Sequence, residues 1–371
     1  MPNFLISITS RASLGRSKTV ITSLLNQGAR VHVALSASST IDKYGDVRPE
    51  FQLLQREFKN LALAEFNTMV ESNSKSSLEK TLALGIFSLS DYVSNEKIDS
   101  IVTVADRFET LASSIVASYQ GIFLAHLQGG EISGNIDDKV RNANSVLADI
   151  HFPTTENSRI RLSKMLNSKM IFNFGCPSID LAKQSLQVEP ILPSGAGKTF
   201  DLNKPFMIVM QHPEYPCEYS ADQQIESTLR ALKEFDLPVL WFWPNADFGT
   251  NSTVSQIRKR RERGELTNIL FVKNTSPLNF LAILKQARTI VGNSSAGIRE
   301  AGFFGVPAVN IGTRQSNRER ADNVIDANYD SESIVNSINA ALNKGHIPSS
   351  SLFGEGNSGM KIASQLIRAV Q

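Results

Sequence analysis

Short apolar runs of strand length alternate along this chain with longer segments of helical period, and the series occurs twice. The first series reads FLISI, RVHVAL, SIVTV and IFLAHL, separated by helical segments near residues 15–27, 76–94 and 107–119. A helix near 136–149 then leads through DIHFP, and a helix from 156 leads on to MIFNFG. The second series starts at FMIVMQ and continues through PVLWFW, ILFV, TIVGN and PAVNI, with helical segments near 222–235, 252–264, 277–286 and 296–303. Strands that alternate with helices, and that are apolar on both faces, form parallel sheet covered by helices on both sides. The expected fold is α/β, with two doubly wound Rossmann-like domains facing a cleft. A chain of 371 residues is long enough for two such cores.

The first domain is expected over 1–182 and the second over 205–355. Between them, 183–204 reads as a linker or surface excursion because of its proline, glycine and serine content (QSLQVEPILPSGAGKTFDLNKP). Its SGAGKT stretch resembles a phosphate-binding loop, but the required first glycine is replaced by Leu192, and no strand leads directly into it. A net charge of +2 with 20% charged residues describes an ordinary globular protein, so composition gives no indication of nucleic acid as a partner. The basic run RKRRER at 258–263 is read as a solvated helix face in preference to an anion site. Cys176 and Cys217 are too few for a disulfide framework and lack metal-ligand spacing, which suits a reducing, cytoplasmic setting. Residues 4–8 form a run of strand length with no basic segment before it, so they read as a first strand and not a leader. Nowhere do 18 apolar residues run together, which argues against a membrane span.

Ligands of doubly wound sheets bind beyond the carboxyl ends of the strands, so those loops are searched for chemistry. Asp106 follows SIVTV; Glu109, three residues later, offers an alternative reading of Asp106 as half of a capping box. After IFLAHL comes QGGEISGNIDDKVR, in which Gly129 and Gly130 permit a sharp turn or a close approach. Asn135 is a candidate cap for the next helix, with Asp138 in its first turn and Asp137 placed four residues before Arg141. Glu131 has no such structural role, and so carries the higher functional expectation. His212 directly follows FMIVMQ, a position that raises the prospects of an otherwise isolated histidine. In TIVGNSSAGIREAGFFGVPAVNIGTRQ, Ser294 and Ser295 open a helix whose amides suit an anion, and Glu300 could accept from ribose hydroxyls. Arg314 brings a guanidinium to the same edge, suited to phosphate.

TVADRFETLA, HLQGGEISGNIDDKVRNANSVLADIHFPTTENS, FGCPSID, VMQHP and GNSSAGIREAGFFGVPAVNIGTRQSNRERADNV occur in the order and spacing of the UDP-N-acetylglucosamine 2-epimerase family. The chain resembles the hydrolysing branch of that family from about residue 4 to residue 330. The resemblance implies a GT-B-like fold, with a C-terminal helix at 356–371 crossing back to the first domain. It also implies a reaction in two halves: the C2 proton is removed and UDP eliminated to leave a glycal, and water then adds to give UDP and a free 2-epimeric sugar. In the family pattern Asp106, Asp137 and His212 match catalytic positions, and Glu131 is added here. Arg141 matches the arginine beside them, and Ser294, Ser295, Gly297, Glu300 and Arg314 match the nucleotide site. Arg11 is a further candidate for stabilising the diphosphate. The third residue of HLQGGE can be glutamate in the family and is Gln128 here; either Glu131 takes over its role, or Asp106 or Asp137 is the base and Gln128 orients the sugar. No metal or other cofactor is expected. The expected partners are a UDP-sugar and UDP, with no nucleic acid or membrane, in a homodimer or homotetramer. Nonulosonic (sialic-acid-like) sugar synthesis is the implied setting. The alternatives are a 4-acetamido-6-deoxy substrate, a non-hydrolysing epimerase, a GT-B glycosyltransferase, or a nucleotide-sugar-binding regulator. Sugar specificity is assigned to loops such as STIDKYGDVRPEF.

Overall fold

The computed structural model describes residues 1–72, 76–134, 137–215, 217–244 and 249–371. The chain divides into two compact units. Unit 1 comprises Met1–Ile132, Asp137–Lys183 and Phe353–Gln371; unit 2 comprises Ser133–Ile136 and Gln184–Leu352.

Unit 1 is built on six strands: β1 (Asn3–Ile8), β2 (Arg30–Leu35), β3 (Leu61–Glu65), β4 (Ser100–Val104), β5 (Phe123–Leu127) and β6 (Ile150–Phe152). All their pairings are parallel, in the order β3-β2-β1-β4-β5-β6. The helices are α1 (Arg11–Asn26), α2 (Arg48–Glu57), α3 (Ser76–Glu96), α4 (Leu111–Gln120), α5 (Asp137–Leu147), α6 (Glu156–Met165) and α7 (Pro177–Gln184). Every residue of β1 is buried. Its side chains alternate between two cores, as the period of two requires. Phe4, Ile6 and Ile8 enter a core with Val20, Leu24 and Phe51, whereas Leu5 enters one with Leu89, Ala112 and Val116.

Unit 2 contains β7 (Ala196–Gly197), β8 (Met207–Met210), β9 (Val239–Phe242), β10 (Ile269–Val272), β11 (Thr289–Gly292), β12 (Ala308–Ile311) and β13 (Val324–Ala327). Its helices are α8 (Ala221–Leu232), α9 (Thr250–Glu262), α10 (Pro277–Gln286), α11 (Ser295–Ile298), α12 (Glu300–Phe304) and α13 (Ser331–Lys344). The sheet order is β13-β12-β11-β8-β9-β10-β7. Apart from β7, which is antiparallel to β10, this is the permutation of unit 1. In each sheet the order reverses beside the first long strand, between β1 and β4 and between β8 and β11. Loops leaving the carboxyl ends diverge there and open a crevice.

Several segments differ from the sequence reading. LALAE forms β3, an alanine-rich strand on the sheet edge. The stretch STIDKYGDVRPEF is not simply a loop, because it contains two short 3-10 turns and the start of α2, which has a proline in its first turn. MIFNFG makes one isolated bridge, His151 with Ile171. Its phenylalanines stack instead, Phe172 on Phe174 at 5.8 Å and both near Phe152. The 183–204 stretch is partly sheet: Ala196 and Gly197 pair with Phe271 and Leu270. A Cβ on Gly195 would lie 2.4 Å from the Phe271 carbonyl oxygen, and one on Gly197 2.1 Å from that of Ile269. The glycines of SGAGKT are therefore explained by close backbone approach at a sheet edge.

The last helix, α14 (Ser358–Val370), belongs to unit 1 and packs on α1. Ile362, Ala363 and Leu366 complete the core begun by β1 and α1. A Cβ at Gly359 would come within 2.5 Å of Thr19 Oγ1, so glycine allows the two helices to meet. The first amides of α14 are satisfied from a distance: Asp180, on α7, accepts from Ser358 N at 2.8 Å and Gly359 N at 2.6 Å. A carboxylate at a helix N-terminus is favoured both by these bonds and by the helix dipole. Among the described residues, no helix is long and apolar enough to cross a membrane.

Two predictions follow from this packing. Asp180→Asn keeps one acceptor oxygen but sets an NH2 group against the other helix amide, and is expected to destabilise the protein by about 2 kcal/mol, with faster hydrogen exchange in residues 356–371; unchanged melting and exchange would show that α14 does not depend on this contact. The second concerns His126 and His151, register partners on β5 and β6 that are almost fully buried. Burial lowers each imidazole to about 4. The unfolded chain then binds protons first as the pH falls, so their contribution is complete above pH 6.5 and is lost on the way down to 4, costing about 2 kcal/mol per histidine at pH 5. Melting temperature between pH 7 and 5 checks this, and a His151→Leu variant should show a clearly smaller loss.

Candidate active site

In unit 1, the chemistry begins at two strained strand ends. Ala105, after β4, and Gln128, after β5, have φ of 64° and 65°, a left-handed conformation that costs a non-glycine residue about 1–2 kcal/mol. Both are held in place. The Ala105 carbonyl accepts from His126 Nε2 at 2.9 Å, and the Gln128 amide donates to the Phe152 carbonyl at 2.9 Å. Because a carbonyl can only accept, the His126 proton sits on Nε2, and Nδ1 accepts from the Ser145 hydroxyl at 3.0 Å. His126 is thus a neutral post supporting the turn that presents Asp106.

Asp106 is 6% exposed. Its carboxylate pairs with Arg141 Nη2 and lies 3.8 Å from Arg16 Nη1. The capping box with Glu109 does not form: α4 starts at Leu111 after Thr110, and Glu109 pairs with Arg107 at 2.9 Å. Arg141 is itself buried, with Nη1 bonded to Asp138 and, at 2.9 Å, to the Glu131 carbonyl. Burial lowers this guanidinium, but Asp106, Glu131 and Asp138 together raise it above its ordinary value. Asp138, which the sequence marked as a helix-start residue, is therefore a structural member of the site. Arg141 is committed to protein acceptors and fixes the carboxylates in relation to one another.

Glu131 is 7% exposed, and its Oε1 accepts from Thr154 Oγ1 at 2.7 Å. The glycine pair before it permits close approach: a Cβ on Gly130 would lie 2.4 Å from the Ser158 carbonyl oxygen, and one on Gly129 2.9 Å from His126 Nδ1. Gln128 donates to Cys176 Sγ at 3.0 Å, while its Oε1 is buried without a hydrogen-bond partner. Asp137 is half-buried as the first residue of α5, and Asn135, the expected cap, lies outside the described residues. Arg11 begins α1 at the carboxyl end of β1, beside the crevice between β1 and β4. Burial lowers its guanidinium to about 10.

Unit 2 presents the other predicted residues at the ends of β8, β11 and β12. His212 is 4% exposed, and its main chain is clamped by one side chain: its N–H donates to Asn293 Oδ1 at 2.8 Å, and its carbonyl accepts from Asn293 Nδ2 at 2.9 Å. Gly292, just before Asn293, has φ 133°, and a Cβ there would lie 2.1 Å from the Met210 carbonyl oxygen. Ser294 caps α11, accepting from Ala296 N at 3.3 Å. The single helix expected over 296–303 is two short ones, α11 and α12, separated by Arg299. Ser294 and Gly297 line a small cavity with Met210, Gly292 and Asn310, and Ser295 is half-buried at the start of α11. Glu300 holds a buried carboxylate oxygen, Oε2, without a hydrogen-bond partner. Arg314 Nη1 donates to the Asn293 carbonyl at 3.2 Å, and Gln315 Nε2 donates to the same oxygen at 3.0 Å.

The structure thus groups Asp106, Glu131 and Arg141 in unit 1, and gathers His212, Ser294 and Arg314 around Asn293 in unit 2. Arg16, Thr154 and Glu214 were not identified from the sequence, and Asp138 was read there only as a helix-start residue. Their partners are distant in the chain or carry no local motif, and only the Asp138–Arg141 spacing offered a signal. Among the described residues, no group of three or more His, Cys, Asp or Glu side chains is placed to hold a metal ion.

Comparison with known proteins extends this picture. The family model described as UDP-N-acetylglucosamine 2-epimerase matches residues 45–367. A Legionella pneumophila protein named UDP-N,N'-diacetylbacillosamine 2-epimerase (hydrolyzing) is 31% identical over 297 residues, spanning 80% of this chain and 77% of that protein. A Neisseria meningitidis UDP-N-acetylglucosamine 2-epimerase is 27% identical, spanning 96% of this chain and 92% of its own. In fold, the chain is similar to the crystal structure of Methanocaldococcus jannaschii UDP-GlcNAc 2-epimerase in complex with UDP-GlcNAc and UDP, with a TM-score of 0.79, 17% identity and 99% of each chain covered. The two Rossmann-like units are thus of the GT-B-like class. With a family match across most of its length and strand ends carrying the motif residues, the chain belongs to the UDP-N-acetylglucosamine 2-epimerase family.

Proposed function

We propose that this protein is a hydrolysing 2-epimerase that converts a UDP-2-acetamido sugar and water into UDP and the free 2-epimeric sugar, in nonulosonic acid synthesis. The observation that carries the reading is the arrangement around Arg141, which holds Asp106 and the Glu131 backbone at one strand-end crevice, in a chain 31% identical to a relative named as hydrolysing.

Elimination needs a base for the weakly acidic C2 proton and stabilisation of the departing diphosphate. Asp106 is ion-paired with Arg141 and lies 3.8 Å from Arg16 Nη1. Glu131, whose Oε1 accepts from the Thr154 hydroxyl, is assigned the proton transfer. Asp137 and His212 are assigned to the remaining proton movements, including delivery of a proton as water adds to the glycal. In unit 2, Arg314 and the amides of the Ser294–Ser295 turn suit the diphosphate, and the unpartnered Glu300 oxygen suits ribose hydroxyls. The sugar is UDP-N-acetylglucosamine or a 4-acetamido-6-deoxy relative, the latter favoured by the name of the Legionella protein.

The test is incubation with each sugar nucleotide in heavy water, followed by product NMR. UDP together with a free, C2-deuterated sugar is the expected result. Deuterated product still carrying UDP would place the chain in the non-hydrolysing branch, and no exchange at C2 would overturn the epimerase reading. Glu131→Gln is expected to lower kcat by about 100-fold or more with UDP affinity nearly unchanged; a wild-type rate would remove Glu131 from the chemistry.

A further inference from the structure

Glu214 lies two residues beyond His212, is 7% exposed, and was not among the residues identified from the motifs. Its carboxylate accepts from the Thr313 amide at 3.1 Å, the Thr313 hydroxyl, and the Tyr329 hydroxyl at 2.9 Å. Its main chain is fixed by Gln224 of α8, which accepts from Glu214 N at 2.9 Å and donates to the Glu214 carbonyl at 3.1 Å. Tyr329 in turn accepts from Asn293 Nδ2 at 3.3 Å, the same amide that clamps the His212 main chain. The Asn293 carbonyl receives the Arg314 guanidinium. A ring therefore closes through His212, Asn293, Tyr329, Glu214, Thr313 and Arg314, joining the ends of β8, β11 and β12 to Tyr329, just beyond β13.

The hydrogen bonds of this ring converge on Glu214. Asn293 donates to Tyr329, Tyr329 donates to Glu214, and Thr313 donates twice more. A carboxylate accepts the last three of these while offering no donor of its own. Burial, and then the neighbouring Glu214 charge, raise the Tyr329 phenol, so it remains a donor throughout the neutral range. Tyr329 also needs Gly312, since a Cβ there would lie 2.3 Å from its ring.

We propose that Glu214 is a positioning residue for the reaction, fixing the His212 strand end relative to the Arg314 loop so that the group moving a proton and the group binding diphosphate keep one geometry. This rests on the UDP-sugar reading and deepens it with a residue that acts through others. Uncompensated burial of the carboxylate would be costly; two of its three hydrogen bonds come from Thr313, next to Arg314, and the third from Tyr329, which Asn293 holds.

The test uses Glu214→Gln, which keeps the shape but turns one acceptor into a donor, and Tyr329→Phe. UDP affinity by calorimetry, KM and kcat are measured for the wild type, both single variants and the double variant, with melting temperature alongside. Each single variant is expected to weaken UDP binding and lower kcat by about tenfold, and the double variant to lose less than the product of the two. Hydrogen exchange should quicken in residues 206–213 as well as 308–315 of Glu214→Gln. A lower melting temperature with unchanged UDP affinity, KM and kcat would overturn the proposal, leaving only a structural role. If wild-type protein binds no UDP, the nucleotide reading fails instead. The positioning claim is then judged by exchange alone, and unchanged exchange in 206–213 sinks it.

Discussion

Both sheets are covered on their two faces, and this constraint governs where polar chemistry can occur. A strand such as β1, buried along its whole length, leaves charged groups to its end, and the histidines within β5 and β6 are lowered by burial so that they stay neutral. The candidate residues accordingly follow strand ends: Arg11 after β1, Asp106 after β4, His212 after β8, Arg314 after β12. Because each sheet reverses its order beside its first long strand, the ends of β1 and β4 flank a crevice in unit 1 and those of β8 and β11 flank one in unit 2. The fold concentrates reactive groups by leaving them nowhere else to go.

The two units share a permutation of strands but stabilise their sites by different physics. Unit 1 buries charge: Arg141 offsets the desolvation of Asp106 and Asp138 and takes a carbonyl as its third acceptor. Such a cluster is rigid because removing one partner strands the others in a low-dielectric setting. Unit 2 relies on amide clamps, with Asn293 and Gln224 each gripping the main chain of one residue on either side of Pro213. Ionic fixation sets the spacing of carboxylates, whereas the clamps on the His212 and Glu214 main chain are made by neutral amides.

Much of this was legible in the sequence, and the omissions have physical causes. Long apolar strands and amphipathic helices announce themselves through periodicity, so the parallel sheets and most helix positions could be read directly. LALAE was missed because alanine is a poor strand signal, and MIFNFG was misread because its aromatic rings stack where its pattern suggested pairing. Motif position marked Asp106 and His212, and the place after a double glycine marked Glu131, yet neither signal could show that Arg141 is enclosed by protein acceptors, since that depends on side chains 3 to 35 residues away. Glu214 was invisible for the same reason: its donors, Thr313 and Tyr329, lie about a hundred residues downstream.

The return of α14 to unit 1 has a consequence for biosynthesis. Ile362, Ala363 and Leu366 belong to the same core as Phe4 and Val20, so the first unit is left with an uncovered apolar surface on α1 until α14, which follows unit 2, has left the ribosome. Unit 2, contiguous apart from one short stretch, has no such wait. The part of the protein made first is thus the part completed last, and nascent unit 1 is the stage at which a chaperone would find an exposed surface to hold.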